Sequence, residues 1–136
     1  MMQINGVLDT SFIVRYLTGD PREPAELARQ VIDSDLRLGV TDVAIVETAY
    51  VLTSLYHKTR GEVADALAAL VQRRNIVALG AEKEYVALGL RMCRASRRVS
   101  FGDAMIWAAA RSRKIPVAYT FDERFPKDGI VRRPSE

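Results

Sequence analysis

Val99-Ser100-Phe101-Gly102-Asp103-Ala104, an Ala-rich apolar run to about Arg113, and then Ile115-Pro116-Val117-Ala118-Tyr119-Thr120-Phe121-Asp122 form the stretch that decides the fold. The first part reads as a helix start and the last part as a short β-branched and aromatic strand. One acid, Asp103, stands in the first turn of the helix. A second, Asp122, stands just past the strand. Helix, short connection, strand and acid is the order in which α/β proteins carry carboxylates to the carboxyl edge of a parallel sheet. The Ala-rich helix is thin enough to pack against such a sheet and hold both acids in place.

Working outward, the same alternation runs through the chain. Gln3 to Leu8 reads as a first strand ending at Asp9, and Phe12, Ile13, Tyr16 and Leu17 follow at helical spacing until Gly19-Asp20-Pro21. A second helix is expected over Pro24 to Asp35, a weak strand over Arg37 to Thr41, and a helix from Val43 to about His57, capped by Asp42. Gly61 to Arg73 and Ala81 to Ser96 read as helices flanking a strand from Asn75 to Leu79. Ile130-Val131 suggests an edge strand in a Pro- and Gly-punctuated tail. Alternating strands and helices predict a single α/β domain over residues 1–136, with a mainly parallel central sheet flanked by helices.

Length and charge agree with one soluble domain. A chain of 136 residues and 15.2 kDa buries roughly two-thirds of its unfolded surface. The formal charge of +3 and pI near 9.2 permit an anionic partner without demanding one. The single cysteine, Cys93, excludes an internal disulfide and a Cys-based zinc site. With no apolar run of about 18 residues and no N-terminal basic-then-apolar signal, the expected location is a reducing cytoplasm, with no membrane partner.

Four acids occupy telling positions. Asp9 directly follows the first strand and should project at the sheet's carboxyl edge, though it is equally placed to cap the helix that starts at Thr10. On a helix from Val43, Glu47 shares a face with Val43, Val46, Tyr50 and Ser54, among residues that otherwise look buried. A carboxylate there calls for a buried basic partner or a metal. Asp103 fits a capping box after Ser100 with Asp in place of Glu, and Asp122 can cap a turn. Carboxylates gathered at one edge raise one another's pKa until a cation neutralises them. An all-oxygen set with no His or Cys suits Mg²⁺, or Mn²⁺ in its place. Such a centre lowers the pKa of bound water and stabilises charge on a phosphoryl group, which points to phosphoester hydrolysis.

The residues Val7-Leu8-Asp9-Thr10-Ser11-Phe12-Ile13-Val14-Arg15-Tyr16-Leu17, Thr41 to Leu52 around Glu47, Phe101-Gly102-Asp103-Ala104 and Thr120-Phe121-Asp122-Glu123-Arg124-Phe125 resemble the PIN-domain ribonucleases. The match is closest to the VapC-type toxins of prokaryotic toxin–antitoxin pairs. With the element order, the resemblance covers essentially the whole chain. It implies a metal-dependent endoribonuclease, the toxin of a type II module, in which Asp9, Glu47, Asp103 and Asp122 bind Mg²⁺ and carry catalysis. It also implies that Ser11, where the family often has Asn, and Thr120 orient the site or its water. A homodimer, inhibition by a cognate antitoxin, and products with 5′-phosphate and 3′-hydroxyl ends belong to the same analogy. Two alternatives remain within the fold: a nuclease acting on structured DNA, and a module working mainly through antitoxin and operator binding.

Other residues bear on the substrate. Arg94, Arg97 and Arg98, just before Asp103, are candidates to hold an RNA backbone, although arginines near a helix C-terminus also complement its dipole. Trp107 reads as core and His57 as a helix-end surface residue, which disfavours His-dependent hydrolases. A receiver domain would need a second acid beside Asp9 and an Asp after the third strand. A HAD-type phosphatase would need Asp-x-Asp in place of Asp9-Thr10-Ser11. Phosphate-loop motifs do not occur.

Overall fold

The computed structural model describes residues 3–134. Its elements run β1 (Gly6–Val7), α1 (Thr10–Thr18), α2 (Arg22–Ile32), β2 (Leu38–Val40), α3 (Asp42–Ser54), α4 (Arg60–Val71), β3 (Ile76–Ala78), α5 (Lys83–Ala95), α6 (Phe101–Ser112), β4 (Val117–Tyr119) and β5 (Val131–Arg133). Every predicted helix and strand is present, with ends shifted by one to a few residues. All strand pairs are parallel, with helical crossovers between β1, β2 and β3 and an irregular one between β4 and β5.

The strands divide into two sheets where one central sheet was expected. One has the order β1-β2-β3, and β4 pairs with β5 in the other. β1 is two residues long, and Val7 on it is 64% exposed, so its outer edge is not closed by β4. β4 instead finds its partner in the tail, with Val117 opposite Val131.

Local chemistry sets the helix ends. Asp9 caps α1, and Gly19 ends it in the left-handed conformation, φ 71°, donating its N–H to the Arg15 carbonyl. Thr41, not Asp42, caps α3: its hydroxyl accepts from the Ala44 N–H at 3.1 Å, because the chain turns helical one residue earlier than expected. α4 starts on a full capping box between Thr59 and Glu62.

The core holds Ile13, Ile45, Leu67, Val86 and Leu90, all fully buried, with Trp107 at 1% exposure. Trp107 is core as predicted and satisfies its indole N–H on the Asp128 carbonyl at 2.9 Å. The Ala-rich α6 packs chiefly against α5 and also α3, rather than on the sheet. Gly89 makes this close approach possible, since a Cβ there would lie 3.0 Å from the Ala104 carbonyl oxygen. Arg60 reaches across from α4 and donates to the carbonyls of Cys93 (3.1 Å), Ser96 (3.2 Å) and Val99, with its guanidinium 5.2 Å from the centre of the Phe101 ring. One side chain thus fixes the turn that leads into α6 and Asp103.

Candidate active site

The carboxyl ends of the strands place the acids. Asp9 stands two residues past β1, where it receives both the backbone N–H (3.1 Å) and the hydroxyl (2.6 Å) of Ser11 on one oxygen. Those donors, the hydroxyl first, hold its carboxyl below the ordinary value. Asp9 is therefore both an N-cap and an exposed acid. Glu47, on α3, accepts a 2.7 Å hydrogen bond from the Thr10 hydroxyl, which ties α3 to the end of β1. Asp9, Thr10, Glu47, Tyr50 and Arg15 line one cavity of about 680 Å³.

The expected burial of Glu47 does not hold. Glu47 is exposed, as are Val43 (67%), Tyr50 (69%) and Ser54 on the same face. α3 buries the neighbouring face instead, through Ala44, Ile45, Thr48, Ala49 and Leu52. A carboxylate in that setting calls for neither a buried basic partner nor a metal, so burial supports neither explanation of Glu47.

Asp103 and Asp122 come together from α6 and the end of β4. Each carboxyl acts on the ionisation of the other. Burial first, and then Asp122, pushes the Asp103 pKa up. The Arg124 backbone N–H, at 2.8 Å, leads the effects that hold Asp122 down. The two acids therefore sit in different settings, Asp103 partly buried and Asp122 held by a backbone donor, while each still feels the other. Ser100 caps α6 through the backbone N–H of Asp103 at 3.0 Å, which leaves the Asp103 carboxyl to face Asp122. Thr120 accepts the Asp122 N–H at 2.9 Å and so fixes the turn that presents this acid. Asp103 and Thr120 line a second cavity of about 570 Å³ with Ile106, Arg113, Tyr119 and Phe125.

The four predicted acids thus form two pairs, and among the described residues no three His, Cys, Asp or Glu side chains are gathered tightly enough to enclose a metal. Mg²⁺, which keeps several waters and binds through one or two carboxylates plus substrate phosphates, does not require such an enclosure. The donor chemistry of the Asp103–Asp122 pair fits such an ion.

Three residues of this region escaped the sequence reading. Thr10 was seen only as a helix start. Asp42 was seen only as a cap, although it follows β2 as Asp9 follows β1. Its Oδ1 is buried without a partner, burial raises its pKa, and its carboxylate lies against Gly80. Arg124 pairs with Asp122 at 3.5 Å. Of the three arginines proposed for a nucleic-acid backbone, Arg94 pairs with Asp65 at 3.0 Å, while Arg97 and Arg98 stand exposed in the turn before α6. Cys93 is buried, its thiol pushed up to about 11 by burial, and so is no nucleophile.

Carboxylates just past β1 and β4 and on α3 and α6 make an acid-bearing α/β protein whose donors suit a divalent cation. The chain belongs to the PIN domain family, whose model matches residues 6–129. That family is a nuclease fold whose members are generally divalent-metal-dependent nucleases. Comparison with curated proteins and with solved structures returns no match. Among the described residues no helix is long and apolar enough to cross a membrane.

Proposed function

We propose that this chain is a Mg²⁺- or Mn²⁺-dependent endoribonuclease, the toxin of a type II toxin–antitoxin module of the VapC type. The observation that carries the reading is a PIN fold holding all four acids, with Asp9 and Glu47 lining one cavity and Asp103 a second. When bound, the divalent ion supplies Lewis acidity and lowers the pKa of water. Asp9, Asp103 and Asp122 would hold it, with Glu47 as a ligand directly or through water. Ser11 orients the Asp9 carboxylate, Thr120 fixes the Asp122 turn, and Thr10 positions Glu47. Arg97 and Arg98 are proposed to steady the RNA backbone, with Arg94 joining when it leaves Asp65. The RNA, a cognate antitoxin and a second copy of the chain are the proposed partners, in the cytoplasm, by the family analogy.

Two other readings share the fold: a nuclease for structured DNA, and a module acting mainly by antitoxin and operator binding. Incubating the purified chain and Mg²⁺ with single-stranded RNA and with branched DNA separates the first. RNA cleavage that EDTA stops, with the DNA intact, is the expected result, and preferential DNA cleavage reverses the assignment. For the second, Asp9→Asn should abolish cutting while leaving antitoxin complexes intact.

A further inference from the structure

The β1-β2-β3 sheet has a second edge, opposite the one where its strands deliver acids. Asp9 and Asp42 follow β1 and β2, whereas Arg37 directly precedes β2 and Asn75 directly precedes β3. A pocket of about 680 Å³ opens at this edge, lined by Arg37, Arg73, Arg74, Asn75 and the turn from Asp33 to Asp35. The nuclease reading makes no use of it.

The cations of this pocket are incompletely matched by anions. Arg73 pairs with Asp33 at 3.0 Å, and the Tyr16 hydroxyl donates to the same carboxylate oxygen at 2.7 Å. Among the described residues no carboxylate or carbonyl receives the side chain of Arg37 or Arg74. Arg37 and Arg73 are half-buried, and the Nε of each is shut off from solvent with no acceptor. Lys83 comes up beside them. Its Nζ donates to the Arg73 carbonyl at 2.9 Å, and burial first, then the Arg37 charge, hold its pKa down. A buried donor without an acceptor opposes folding. Guanidinium groups held in this way call for an anion from outside the chain.

The frame around them is fixed by backbone contacts. Asn75 Nδ2 donates to the carbonyls of Ile32 (2.9 Å), Ser34 (3.2 Å) and Leu36 (3.0 Å), which pins the connection from α2 to β2. The Arg37 N–H donates to Asn5 Oδ1 at 2.9 Å, and the Asn5 N–H donates to the Arg37 carbonyl at 2.7 Å. The fold itself therefore sets where these cations stand.

We infer that the sheet edge opposite the acids binds a small phosphate-type anion through Arg37, Arg73 and Arg74. Guanidinium forks match tetrahedral phosphate oxygens, and three of them in one pocket favour a doubly charged ion over a single carboxylate. Asp33 and Asp35 line the same pocket and repel a run of phosphates leaving it, so a compact ligand is favoured over a nucleic-acid backbone. The inference stands independently of the nuclease reading.

The test is calorimetric titration of the full-length chain with inorganic phosphate and with pyrophosphate, in EDTA and at an ionic strength held constant with NaCl. EDTA removes the divalent ions through which phosphate reaches carboxylates. Saturable binding at a single site and a higher melting temperature are expected. Arg37→Gln and Arg74→Gln should each weaken binding by about tenfold, while Arg91→Gln, at an exposed position of α5, leaves it unchanged. Arg74 is exposed, so its variant reports on binding even where Arg37→Gln lowers stability. No heat and no melting shift at constant ionic strength overturn the inference. Equal affinity in wild type, Arg37→Gln and Arg74→Gln puts the ion elsewhere and overturns it too. Binding of a short 5′-phosphorylated RNA that needs Arg37 and Arg74, with both free anions inert, replaces it with a strand contact. RNA cleavage is read separately, so its absence in a chain that binds phosphate removes the nuclease reading alone.

Discussion

At the residue scale, Asp103 is the informative side chain. As a cap it would stabilise α6, and as a metal-facing acid it would be a burden without a cation. The structure gives the capping role to the Ser100 hydroxyl and the Asp103 backbone, so replacing the carboxyl leaves the cap in place. Burial and Asp122 raise the Asp103 pKa above its ordinary 3.8. A carboxyl raised on folding binds its proton more tightly in the folded chain, so it destabilises the fold when ionised. That penalty is full at neutral pH and is relieved as pH falls through the raised value. Without divalent ions, Asp103→Asn should therefore melt above wild type at neutral pH, with the gap closing in acid. A lower melting temperature for the variant at neutral pH would mark the carboxyl as structural. Glu47→Gln, on an exposed position, should reduce cleavage with under about 0.5 kcal/mol change in stability; a large destabilisation would return Glu47 to a structural role. Sequence pattern located all four acids because each sits at an element boundary or a helix face. It misjudged the burial of Glu47, because helical periodicity shows which residues share a face and not which face turns inward.

At the element scale, the turn between α5 and α6 decides where Asp103 stands, and Arg60 holds that turn through three carbonyls. Arg60→Ala leaves those half-buried acceptors unpaired, at about 1–3 kcal/mol. The expected result is a lower denaturation midpoint together with weaker cleavage, since α6 loses its fixed start. An unchanged midpoint would show that water replaces the guanidinium without loss. None of this was legible in the chain, because Arg60 and its acceptors are more than thirty residues apart. Helix existence was legible throughout from apolar periodicity, while the Thr59–Glu62 capping box emerged only in the structure. The partner of α6 was not. An Ala-rich face fits a sheet or a helix equally well, and only Gly89 on α5 identifies which surface it meets.

At the scale of the whole molecule, alternating elements gave the α/β class and parallel strands. The division into two sheets escaped, because strands of two or three residues carry no signal for which edges pair. The acids stand past β1 and β4 and on α3 and α6, and a divalent ion that binds the folded chain should stabilise it. At a hundredfold excess over Kd the gain is about 2.7 kcal/mol. Mg²⁺ should raise the melting temperature of wild type and leave Asp103→Asn unmoved; an equal rise in both would place the ion elsewhere. The most direct test of the central claim compares RNA cleavage by wild type and Asp103→Asn, each with Mg²⁺ and with EDTA. The account predicts cutting by wild type with Mg²⁺ alone and none by the variant. A variant that cuts at the wild-type rate, or cutting that survives EDTA, would contradict it.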